Sequence, residues 1–83
     1  MDMSGAMPTS ARYEIRDAAG ELLTTVAARI DGGTVSADLP AFAPGTLGRV
    51  HLITVDADGA EFRENAELEE LPSSPIVLIT EMG

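Results

Sequence analysis

Arg49-Val50-His51-Leu52-Ile53-Thr54-Val55-Asp56-Ala57-Asp58-Gly59 is the stretch on which the fold class turns. Its β-branched residues alternate, and it runs into an Asp-x-Asp-Gly turn, so it reads as a strand feeding a hairpin. The Pro44-Gly45 corner precedes it, and Ala60–Glu64 can return beside it with Phe62 inward. Alternation places Val50 and Leu52 toward a core and His51, Ile53 and Val55 on the opposite face.

Working outward, the same period of two recurs. Tyr13 and Ile15 alternate with Arg12, Glu14 and Arg16 up to Asp17-Ala18-Ala19-Gly20, a type I turn followed by a glycine. From Glu21 to Ile30, Leu22, Thr24, Val26, Ala28 and Ile30 share one face, and Asp31-Gly32-Gly33 makes a second tight turn. Val35, Ala37 and Leu39 then point inward from a third run. Pro40 to Gly48 is a corner in which Phe42 and Leu47 plug an end of the core. Glu64 to Leu71 is either a short helical turn stopped before Pro72 or an irregular acidic loop. The final run, Ile76 to Glu81, is apolar on both faces, which implies a central strand or one that meets a partner. The expected fold is all-β: a small antiparallel β-sandwich or partial barrel of about six strands. Residues 1–10 form an N-terminal arm with Met1, Met3 and Met7, and residues 11–83 form a single domain.

Composition narrows the function. A chain of 83 residues with 4% aromatics, no Trp and no Cys builds a thin core and commonly gains stability from a partner or from oligomerisation. Lack of Cys excludes thiolate metal sites and thiol catalysis. Fourteen Asp plus Glu against five Arg give a net charge of −9, which disfavours nucleic acid and anionic membranes as partners. The first eight residues lack a basic region and an apolar run, so they do not read as a secretory signal. No stretch is apolar enough to span a membrane. The expected location is cytoplasmic or within a virion.

Residues Leu39 to Gly59 resemble a segment of the fibronectin type III family, in which a Pro-Gly-Thr corner leads into a strand of alternating Val. Pro44, Gly45 and Thr46 fall on that corner, and Val50 and Leu52 on the inward positions. Thr54 falls on the small inward position, and Val55, Asp56 and Gly59 on the exit. Gly48 stands where the family places its corner tyrosine. The resemblance implies an immunoglobulin-like sandwich in which Tyr13 to Gly33 supply central strands. The family's first two strands and their Trp have no counterpart. The run 76–81, or a neighbouring chain, then takes the place of a missing strand.

No catalytic constellation is present in the sequence. His51 stands alone, without a second His or a placed Ser nucleophile, so a surface or interface role is expected. Asp56 and Asp58 are spaced like calcium ligands. On the EF-hand register, however, the first and last ligands fall on Thr54 and Asn65, so a plain hairpin turn is the adopted reading. No cofactor is expected, and no metal site. The expected function is a non-catalytic structural or adhesion module, a subunit of a larger assembly such as a phage particle or a bacterial surface structure. Its contacts, to protein partners or to further copies of itself, are expected through His51, Ile53, Val55, Ile76 and Leu78. The alternative is a small acidic inhibitor or immunity-type protein, of the DNA-mimic or anti-CRISPR kind, presenting Glu67, Glu69 and Glu70 to a basic site.

Overall fold

The structure, a computed structural model, describes residues 8–81. The expected arm therefore lies mostly outside the described residues; Thr9 at its end donates from its backbone N–H to the Val55 carbonyl at 2.7 Å.

Among the described residues seven strands form: β1 (Ser10–Asp17), β2 (Leu22–Asp31), β3 (Thr34–Leu39), β4 (Leu47–Val55), β5 (Glu61–Arg63), β6 (Glu69–Glu70) and β7 (Ile76–Glu81). All pairings are antiparallel, in the order β5-β4-β1-β2-β3-β7, with β6 also on β4. No helix forms between Glu64 and Leu71. That segment runs along β4 as an interrupted edge, tied by the Glu64 N–H to the Leu52 carbonyl at 3.0 Å and by the two-residue β6. Among the described residues no helix is long and apolar enough to cross a membrane.

The sheet doubles over at β2. Residues Ala28 to Leu22 pair with β1, whereas Arg29 to Asp31 pair with β3. One ten-residue strand thus belongs to a first layer (β5, β4, β1, β2) and a second layer (β2, β3, β7). The inward faces meet. Ala11 and Tyr13 of β1 and Leu52 of β4 cluster with Val35 and Ala37 of β3, while Ile15, Leu39 and Leu71 form an adjoining cluster. The Tyr13 hydroxyl lies 2.6 Å from Thr80 Oγ1, joining the layers by a hydrogen bond. The radius of gyration of 13.6 Å exceeds the roughly 12 Å typical of a compact chain this long, because the molecule is elongated, 47 × 23 × 17 Å along its principal axes.

The two Asp-to-Gly hairpins use one chemistry, as their sequences imply. Asp17 Oδ1 accepts from the N–H groups of Ala19 and Glu21, and Asp56 Oδ1 from those of Asp58 and Ala60, all at 2.9 Å. Each turn closes through a glycine in the left-handed region, Gly20 at φ 92° and Gly59 at φ 86°.

Two placements differ from expectation. A bulge between Ile15 and Arg16 sets Leu22 opposite Arg16, which moves Leu22 to the outer face, where it is exposed. At the Pro-Gly corner Phe42 packs on the core, but Leu47 is exposed. Leu71 fills the space beneath Gly48 instead.

Candidate interaction surfaces

β7 ends the sheet. It pairs with β3 along its whole length, from Thr34↔Glu81 to Leu39↔Ile76, and pairs with no other described strand. It is therefore an edge strand, not a central one. Its register fixes which side chains face out. Leu78 lies opposite Ala37 and packs on both core clusters, whereas Val77 (57% exposed) and Ile79 (63%) stand opposite Asp38 and Ser36 on the outer face. Of the two β7 residues expected at an interface, Ile76 is exposed at the strand's start and Leu78 is turned inward. Val77 and Ile79 take its place. A run that is apolar at every position carries no phase, so only the pairing with β3 reveals which residues are free.

A long, flat, apolar edge with unpaired backbone groups is a template for strand addition. β7 has no charge between Ile76 and Thr80 and no bulge against β3. The opposite edge differs: β5, β6 and the segment joining them carry Glu61, Arg63, Glu64, Glu67, Glu69 and Glu70, the kind of charge that blunts pairing. Glu67, Glu69 and Glu70 are exposed there, with Glu70 Oε2 accepting from the Gly45 N–H at 3.3 Å.

The outer face of the first layer is not the open apolar surface that its sequence implies. Ile53 is fully buried and Val55 half-buried. Arg12 and Arg63 are the register partners of Ile53 on either side. Arg63 Nη1 donates to Glu14 Oε1 at 2.7 Å, although β4 lies between their strands. Two strand spacings are about 10 Å, so the Arg63 stem crosses β4 above Ile53. Packing by arginine stems removes Ile53 from any contact surface.

Glu14 is the hub of that face and the residue that alternation alone passes over. It is 8% exposed and also meets Arg16 Nη2 at 3.3 Å and Arg12 Nη2 at 3.5 Å. The hydrogen bond from Arg63 holds its carboxyl below the ordinary value; burial opposes this and Arg16 reinforces it. Equal spacing of Arg12, Glu14 and Arg16 put all three on one face, but only the β4–β5 hairpin brings Arg63 to them. His51 lies opposite Glu14 in register, with Nδ1 3.2 Å from the Glu64 carbonyl oxygen. Asp56 Oδ1 is engaged by two backbone donors, and no group of three or more His, Asp or Glu among the described residues is placed to hold a metal.

Comparison with family models, with characterised proteins and with solved structures finds no match to this chain. The surfaces above are therefore read from their own chemistry.

Proposed function

We propose that this protein is a non-catalytic binding module of the immunoglobulin-like kind. It serves as a structural or adhesion subunit of a larger assembly, such as a phage particle or a bacterial surface structure, and meets its protein partner along β7. The observation that carries the reading is the free edge of β7, uncharged from Ile76 to Thr80, with Val77 and Ile79 exposed beside it. Strand addition at such an edge combines main-chain hydrogen bonds with pockets for alternate side chains.

The fibronectin-like part of the reading draws support from strand order. In immunoglobulin-like sandwiches the strand after the corner lies between two strands of its own sheet, and β4 lies between β1 and β5. β7 takes the place beside β3 that an N-terminal strand holds in that family.

Selection from a random peptide-display library tests the contact. Wild type should enrich uncharged, β-branched peptides, and the double variant Val77→Lys/Ile79→Lys should lose them. Failure to enrich any peptide, or equal retention by the variant, would remove the reading.

The exposed Glu67 and Glu69 favour the acidic-inhibitor reading as the alternative. There, reversal of Glu67, Glu69 and Glu70 to Lys should slow association with a basic partner and weaken its salt dependence.

A further inference from the structure

Counting strands outward from β2 exposes a gap. The first layer continues through β1 and β4 to β5; the second continues through β3 to β7 and stops. In that order β1 answers β3 and β4 answers β7, while β5 has no counterpart. Phe62 marks the vacancy. It lies opposite Thr54, on the side of the sheet that carries Leu52 and Ala11, yet it is 58% exposed. An inward-facing aromatic has this exposure only where the facing layer is short. Packed layers lie about 10 Å apart, so a strand added to the free edge of β7 would set its own inward side chains on the Phe62 ring.

We propose that this space takes one extended segment of a partner protein, apolar at alternate positions and carrying Lys or Arg at the end that lies beside Glu81. The inference rests on β7 being the contact edge and names what that edge accepts. Charge selects the ends. All five arginines lie on outer faces: Arg12, Arg16, Arg49 and Arg63 on the first layer, and Arg29, paired with Asp38 at 3.6 Å, on the second. Among the described residues the rim of the gap carries Glu64 beyond Phe62 and Glu81 at the end of β7, both exposed, while the neighbouring Arg63 is turned to Glu14 on the outer face. A segment with a basic end beside Glu81 therefore meets opposite charge there, within a chain of net charge −9. A second copy of this chain paired antiparallel through β7 does not fit. Joining β7 to its symmetry mate would place the mate's β4 where β5 already lies, because each first layer is one strand wider than its second. It would also bring together two surfaces of the same negative sign.

The probes are a peptide as long as β7 that alternates valine and threonine and is ended by lysines, and the same peptide ended by glutamates. Binding is followed by NMR on the intact protein through β7 amide and Phe62 ring shifts. The lysine-ended peptide should bind at least tenfold more tightly at low salt, and the preference should shrink as salt rises. It should move both the β7 amides and the Phe62 ring, and Phe62→Ala should weaken it about tenfold. Phe62 is exposed, so this variant leaves the core unaltered. Shifts at β7 with no response of Phe62, or no preference between the peptides, would overturn the inference and leave β7 as an edge contact. No shift at β7 with either peptide would overturn both. A free protein that is dimeric by light scattering, with protected β7 amides, would name the second copy as occupant and overturn the inference.

Discussion

Gly48→Ala should destabilise the fold out of proportion to a single methyl group. Gly48 sits in β4 opposite Asp17 of β1 and Glu69 of β6, so it is held from both sides. An added Cβ would press on the carbonyl oxygen of Arg16 and stand 2.9 Å and 3.3 Å from the two Cδ atoms of Leu71. Neither obstacle can yield easily. The Arg16 oxygen belongs to the β1–β4 ladder. Leu71 is buried against Ile15 and Leu39, and its N–H donates to the Thr46 carbonyl at 2.8 Å. Overpacking of this kind costs about 1–3 kcal/mol, and the upper part of that range applies where backbone must move. The reduced freedom of alanine in the unfolded chain offsets roughly 0.5–1 kcal/mol. About 2 kcal/mol net remains, against a total stability of roughly 4–12 kcal/mol for a chain this size. At about 4–8 °C per kcal/mol, the midpoint of thermal unfolding by circular dichroism should fall by roughly 8–16 °C. Gly45→Ala is the control. Gly45 has φ 82° and open space around it, so its loss of about 1 kcal/mol comes from backbone conformation alone. Adding Leu71→Ala to Gly48→Ala should cost less than the sum of the two single changes, because the first removes one of the obstacles to the second. A Gly48→Ala protein that melts within about 2 °C of wild type, or strict additivity in the double variant, would refute the reasoning.

Glu14→Gln tests the arginine hub by its pH dependence. The folded-state pKa of Glu14 is held below its ordinary value of 4.5, so its contribution to stability is present above that value and is lost as pH falls through the lower folded one. Urea titrations should show the widest gap between wild type and variant near neutrality and a closing gap below about pH 4.5; a gap that stays constant would count against the network. Tyr13→Phe removes the 2.6 Å hydrogen bond to Thr80 and should cost about 1 kcal/mol. Faster amide exchange in β7 should accompany that loss, and unchanged exchange would mean that the bond does not tie the layers. Asp17→Ala and Asp56→Ala each remove a carboxylate holding two backbone N–H groups at the same 2.9 Å. Their losses, about 1 kcal/mol each, should agree within error, and a large difference in denaturation midpoint would show that the turns are not equivalent.

The sequence by itself determined what depends on neighbours along the chain. Period-two alternation placed Tyr13 and Ile15, Val35, Ala37 and Leu39, and Val50 and Leu52 on inward faces. The Asp-to-Gly turns announced both hairpins, because an Asp carboxylate reaches N–H groups two and four residues ahead and a glycine accepts positive φ without steric cost. Where alternation was absent, local reading lost its phase. Ile76 to Glu81 is apolar on successive positions, and only pairing with β3 decided that Leu78 is buried while Val77 and Ile79 are free. Leu22 changed face through one bulge against β1. Ile53 was covered by an arginine that arrives from another strand. Phe62 was left open because the second layer ends one strand before the first. Each of these depends on which strands meet across tens of residues. That is settled by how the doubled sheet closes around β2, since side-chain alternation says which way a residue points relative to its own strand and nothing about what lies on the other side.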